Sequence, residues 1–259
     1  MADTIFHSGK YERLFGLIGY PLGHSFSQSF FNSKFESENI NARYVNFEIP
    51  TIEALPGVVA GHPNLRGFNV TIPYKERIIE YLDAIDPEAK AIGAVNVVKI
   101  YRQPDGSLSF KGYNSDAIGF GDSIKPMLEA GVHDRALILG SGGAAKAVAH
   151  ALDKLGVASV IVSRTKRPGV LIYEELTPEI IASHRVIVNT TPLGMYPNVD
   201  ECPAIPYGCL TEQHICYDLL YNPDTTLFMK KAAEAGATVK NGLEMLLLQA
   251  FVSWTIWNK

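Results

Sequence analysis

The sequence is poor in cysteine. Its 259 residues include three, Cys202, Cys209 and Cys216, with no Cys-x-x-Cys spacing. An odd count without that spacing argues against a disulfide framework and against a zinc site, so no metal is expected, and reduced thiols suit a cytoplasmic protein. An excess of charge of one sign is also lacking. Lysine and arginine total 23 against 27 acids, a net charge of −4, which gives no bulk electrostatic reason to bind nucleic acid or an anionic membrane. Long hydrophobic runs are missing too. The most apolar stretch, Leu243 to Trp257, is interrupted by Glu244 and Gln249 and is too short and too polar to span a bilayer. The opening MADTIFHSGKYERLFG holds no apolar segment of the kind a secretory signal needs. Repeats and low-complexity runs do not occur. What remains is 47% apolar and 19% charged, the composition of a globular chain, long enough for one large domain or two modest ones.

The chain reads as strand, turn and helix in repetition. Strands are expected at Leu14–Gly19, Ala42–Ile49, Leu65–Ile72 and Gly93–Tyr101, the last paired with Leu108–Lys111 across the turn Pro104-Asp105-Gly106. Helices are expected at Ser27–Asn39, Thr51–Ala60, Tyr74–Leu82 and Asp116–Glu129. The second half has continuous apolar strands at Arg135–Leu139, Ala158–Ser163, Arg185–Asn189 and His214–Leu219. Such strands alternating with helices indicate a parallel sheet covered on both faces. A further helix is expected between an N-cap at Asp224 and a closing Gly236, and a final one over Gly242–Trp257. The expected fold is α/β in two domains: 1–112, completed by 240–259, and a Rossmann-like 113–239, with a cleft between them.

Gly140-Ser141-Gly142-Gly143-Ala144-Ala145 follows a strand and opens a helix. Glycines there let the backbone turn tightly and approach a pyrophosphate, while the helix start offers free N–H groups. A purely structural tight turn is the plainer alternative. The next strand chooses the cofactor. An NAD site usually carries an acid at its end; here stand Ser163, Arg164, Thr165, Lys166 and Arg167. Those cations suit a 2′-phosphate and point to NADP, unless they form only a solvated basic loop.

In the first half, small polar residues gather at strand ends: Ser25, Ser27, Asn69, Thr71, Lys75, Asn96 and Asn114-Ser115-Asp116. Strand ends are where open α/β sheets bind ligands, and hydroxyls and amides suit a polyhydroxylated molecule. At this point the sequence resembles the shikimate dehydrogenase family. The likeness rests on Gly19-Tyr20-Pro21-Leu22-Gly23-His24-Ser25-Phe26-Ser27, Asn69-Val70-Thr71-Ile72-Pro73-Tyr74-Lys75, Gly93-Ala94-Val95-Asn96 and Asn114-Ser115-Asp116. Tyr217-Asp218-Leu219-Leu220-Tyr221 and Asn241-Gly242-Leu243-Glu244-Met245 through Gln249 complete it. Gln28, Phe31 and Ser163 stand where the family usually has Pro, His and Asn, and Ser115 replaces the threonine of Asn-Thr-Asp.

The resemblance implies a two-domain substrate and NADP-binding fold and the reversible NADPH-dependent reduction of 3-dehydroshikimate to shikimate. Carried over, Lys75 moves the proton at the reacting oxygen and Asp116 pairs with it and holds substrate hydroxyls. Ser25, Ser27 and Tyr221 bind the carboxylate; Asn69, Thr71, Asn96 and Gln249 orient the ring. Gly140, Ser141, Gly142, Gly143 and Ala144 hold the pyrophosphate, Ser163 to Arg167 the adenosine phosphate. Thr190, Leu219, Gly242 and Met245 line the nicotinamide side. The implied partners are small molecules, in a monomer or homodimer. Taken singly these residues have duller readings: Lys75 a solvent-facing lysine, Asn114-Ser115-Asp116 a helix cap, Tyr221 a core residue, Gln249 bonded to a backbone carbonyl. His24 reads as support for the serine turn. A dual quinate/shikimate enzyme and a non-catalytic NADP-binding sensor are the competing functions. The sensor would have no use for Lys75 with Asp116.

Overall fold

The computed structural model describes residues 11–23 and 25–259; His24 lies outside them. The first strand β1 (Arg13–Gly19) leads to helix α1 (Phe26–Ser37) and then to β2 (Ala42–Glu48). Helix α2 (Leu55–Gly61), β3 (Leu65–Val70), β4 (Ala84–Ile85), α3 (Pro87–Ile92), β5 (Val97–Arg102) and β6 (Leu108–Tyr113) follow. Next come α4 (Asp116–Ile124), β7 (Arg135–Leu139), α5 (Gly143–Lys154), β8 (Ala158–Ser163), β9 (Val170–Ile172) and α6 (Pro178–Ser183). The chain closes with β10 (Val186–Asn189), β11 (Ile215–Asp218), α7 (Leu227–Glu234), β12 (Thr238–Lys240) and α8 (Leu243–Asn258).

Two compact units result. One holds the described residues up to Ser115 with Ser253–Lys259; the other is Asp116–Val252, so the division falls inside α8. The first unit's sheet is mixed, in the order β2-β1-β3-β5-β6-β4. β1 is parallel to β2 and β3, and β5 runs antiparallel to β3 and β6. One face buries Ile18, Leu65, Phe68, Ile78 and Val98. Where α1 and α8 meet β1 and β2 an aromatic cluster forms: Phe15 stacks on Trp257 at 4.8 Å and Phe31 on Tyr44 at 4.8 Å. Gly67 leaves the room, since a Cβ there would lie 2.4 Å from the Trp257 indole nitrogen, which donates to Val98 O at 3.0 Å.

The second unit's sheet is parallel throughout, in the order β12-β11-β10-β7-β8-β9. Strand order reverses between β7 and β10, the position at which such sheets bind ligands beyond their carboxyl ends. Leu137, Leu139, Val162, Ile187, Cys216 and Phe228 belong to its core.

The structure corrects several expectations. Tyr74–Leu82 is not an α-helix; only Arg77–Tyr81 turns, as a 3-10 helix. The Lys75 carbonyl accepts from Val95 N–H at 2.7 Å, so Ile79 N–H bonds back to Glu76 instead. The strand expected from Gly93 starts at Val97, because Gly93 closes α3 in the left-handed region at φ 71. α4 stops at Ile124, with a 3-10 turn over Lys125–Met127; Pro126 carries no N–H and disfavours helix at the residue before it. The stretch after Thr51 begins as a 3-10 turn, Ile52–Ala54, before α2. The cap of α7 is Thr226, not Asp224; its side chain accepts from Met229 N–H. Asp224 instead accepts from the Asn241 amide at 2.8 Å. Gly236 closes α7 as expected, at φ 92.

Candidate active site

At the carboxyl end of β7 the chain makes a turn that glycine alone tolerates. Gly140 sits at φ 113, and a Cβ there would stand 2.5 Å from Thr190 Oγ1. Thr190 is fixed by two bonds to Leu139 O, from its N–H at 2.9 Å and its hydroxyl at 2.7 Å. Gly142 caps α5 without a side chain, and a Cβ on it would meet nothing within 4 Å. The open space, the free amides of the helix start and the absence of an acidic residue in its first turn fit an approaching pyrophosphate. Ala145 is fully buried, the small third position that lets helix and sheet close together.

Beyond β8, Ser163 is half-buried and Arg164, Thr165, Lys166 and Arg167 are exposed. Ser163 Oγ accepts from Thr165 N–H at 3.4 Å. Lys166 is engaged by Glu175, an acid the sequence reading did not place there, at 2.5 and 2.6 Å. No carboxylate belongs to β8's own end, so the loop retains the charge a 2′-phosphate calls for.

Past β11, Leu219 and Gly242 come together. A Cβ on Gly242 would lie 2.0 Å from Leu219 O, and Gly242 N–H donates to Leu220 O at 2.8 Å. Met245 is buried one turn on; Tyr221 is exposed. Buried Asp218 ties this edge. Its carboxylate accepts from Thr226 Oγ1 at 2.7 Å and from Asn189 Nδ2 and Leu220 N–H at 3.0 Å each. Burial pushes its carboxyl up to about 6, the three donors offsetting only part of the desolvation. Behind it Ser123 Oγ bonds Glu244 at 2.7 Å and Tyr217 OH at 2.9 Å, while Lys240 pairs with Glu244. Burial pushes the Tyr217 phenol up to about 12. Gln249, also buried, donates to Leu246 O at 3.0 Å.

In the first unit Ser25 caps α1, accepting from Gln28 N–H at 3.4 Å, and Ser27 is buried in its first turn. Tyr44 and Ser27 share a hydrogen bond, and burial raises the Tyr44 phenol well above its ordinary value. Asn69, at the end of β3, is locked. Tyr44 OH donates to its Oδ1 at 2.8 Å, and its Nδ2 donates to Asn96 O at 3.2 Å and Ser253 Oγ at 3.0 Å. Asn96 Nδ2 donates to Ser115 Oγ at 2.9 Å, and its Oδ1 accepts from Ser115 N–H at 2.7 Å. Thr71 continues β1's ladder, its N–H donating to Ile18 O at 2.9 Å. Lys75, half-buried, belongs to this unit; buried Asp116 is the first residue of the other. The structure thus brings Ser27, Asn69 and Asn96 into one buried polar network through Tyr44, Ser115 and Ser253. Tyr44 and Ser253 were missed; the signal for Ser253 was a hydroxyl one turn after Gln249 in an apolar helix.

Among the described residues no group of three or more His, Cys, Asp or Glu could hold a metal ion, and no helix is long and apolar enough to cross a membrane.

Comparison with known proteins bears on this geometry. Residues 17–98 match the family model described as shikimate dehydrogenase substrate binding domain. The shikimate dehydrogenase (NADP(+)) of Carboxydothermus hydrogenoformans is 41% identical over 262 residues, covering 94% of this chain and 91% of that relative. Among solved structures, shikimate dehydrogenase from Aquifex aeolicus superposes with a TM-score of 0.82 at 36% identity, over 95% of this chain and 92% of that one. The Thermus thermophilus enzyme, solved in complex with NADP(H) and shikimate, gives 0.80 at 32%, over 95% and 93%.

Proposed function

The chain belongs to the shikimate dehydrogenase family, and from that premise we propose that it catalyses the reversible NADPH-dependent reduction of 3-dehydroshikimate to shikimate. One observation carries the choice of cofactor: an open glycine turn at the end of β7 stands with a β8 that ends in Ser163-Arg164-Thr165, without a carboxylate of its own. Gly140, Ser141, Gly142, Gly143 and Ala144 hold the pyrophosphate, and Ser163 to Arg167 face the adenosine phosphate. Thr190, Leu219, Gly242 and Met245 flank the nicotinamide. When bound, NADPH supplies the hydride that the ketone carbon takes up.

Lys75 supplies the proton to the carbonyl oxygen, and its ammonium stabilises charge growing there. Asp116 orients that ammonium and accepts from a substrate hydroxyl. Ser25, Ser27 and Tyr221 donate hydroxyls to the substrate carboxylate. Asn69 has spent both amide N–H groups, so it serves the ring through its remaining oxygen lone pair. Asn96 retains one N–H and one lone pair beside its bonds to Ser115, and Thr71 and Gln249 complete the ring contacts. We place the reaction in the cytoplasm, where thiols stay reduced.

The test follows NADPH consumption with 3-dehydroshikimate. Lys75→Ala is expected to lower kcat by about 10²–10⁴-fold with an unchanged circular dichroism spectrum. Near-normal turnover would remove Lys75 from proton transfer, and a folded wild-type chain inert with both substrates would overturn the activity.

A further inference from the structure

The connection from β8 to β9 spans only 164–169, yet the two strands run parallel, with Ser163 opposite Ile172. Parallel neighbours ordinarily need a crossover of a dozen or more residues. The short return has a consequence: β9 ends level with β8, so the Tyr173–Glu175 turn emerges beside the basic loop. There Glu175 Oε2 accepts from Ile172 N–H at 2.9 Å, which anchors the carboxylate to the sheet edge. Lys166 reaches that carboxylate and bonds both oxygens. Among the described residues Arg164 and Arg167 have no carboxylate partner. The end of β8 therefore presents three cations and one anion held in place by backbone.

We propose that Glu175 is a selectivity residue: it holds Lys166 off the adenosine 2′-phosphate, so that Arg164 and Arg167 read the phosphate and the preference for NADP over NAD is weaker than three free cations would give. The inference rests on the NADP reading above. Both partners are substantially exposed, so the pair is weak in itself. Its effect on a ligand comes from charge: a 2′-phosphate carries about −1.5 to −2 at neutral pH and meets Glu175 as well as the cations.

The test needs no turnover. The whole chain is titrated calorimetrically with adenosine 2′,5′-bisphosphate and with AMP, which differ only in the 2′-phosphate. Glu175→Gln keeps an oxygen for Ile172 N–H and releases Lys166. It is expected to tighten the bisphosphate about three- to tenfold and to leave AMP within about twofold. Lys166→Met, which bares Glu175, is expected to weaken the bisphosphate. The double variant is expected to return near wild type. No gain in Glu175→Gln, an equal gain for AMP, or a gain that survives in the double variant would overturn the proposal. Its failure is separable from that of the reading beneath it. A wild-type chain that binds both probes equally contradicts NADP recognition, and one that binds them unequally but fails to reduce 3-dehydroshikimate contradicts the activity alone.

Discussion

Asp218 is held by three donors and still titrates high, because it has no exposed surface. Desolvation decides here: each bond to a charged acceptor contributes about 1.5–3 kcal/mol against a several-kcal/mol penalty for burying the ion. The carboxyl stands at about 6 in the folded chain against an ordinary 3.8. Between those values the folded state binds the extra proton, so this group's contribution to stability rises as pH falls from 7 towards 4 and is lost as pH rises through 6. The ionised form costs the folded chain up to about 3 kcal/mol at neutral pH. Asp218→Asn keeps the shape and removes the titration. Urea unfolding at about pH 5 and about pH 7 should find the variant gaining on wild type by about 1–3 kcal/mol at the higher pH relative to the lower. An equal difference at both would mean the carboxyl is not perturbed in this direction.

At the scale of elements, α8 contributes to both units. Its last turns bury Trp257 among Phe15, Phe31 and Tyr44, and the indole satisfies the Val98 carbonyl. Trp257→Ala removes the ring and with it the indole's bond to Val98 O. The expected cost is about 3–5 kcal/mol, read as a lowered urea midpoint with an unchanged slope; a loss below about 1 kcal/mol would mean the cluster refills the cavity. That this helix exists was legible in its apolar length; which strands it covers was not, because nothing local in 243–258 names a partner. The same contrast runs through the chain. β7, β8, β10 and β11 are continuous apolar runs between turn residues, and the sequence locates each within a residue or two. β4, β9 and β12 are two or three residues long, and α3 and α6 six, too short for any period to register. The glycine turn and the basic loop were readable because their chemistry is local. Glu175 was not, since it reaches Lys166 only through the tight return of β9, and Ser253 was not, since its partner Asn69 lies 184 residues away.

For the molecule as a whole, each unit has its own sheet and its own core, and every residue proposed for NADP belongs to the second unit. Stability gained from a ligand appears where the ligand binds: at about 100 times Kd a ligand adds about 2.7 kcal/mol to whatever must unfold to release it. Hydrogen exchange localises that gain. NADP+ alone at that level should slow exchange of the buried amides of Leu137, Ile138 and Val188 about a hundredfold, with a smaller effect at Ile18 and Phe68. Equal slowing of both sets by NADP+ would mean the chain opens as one cooperative body, coupled through α8. Slowing of the first unit by NADP+ alone would place the cofactor elsewhere than the end of β7.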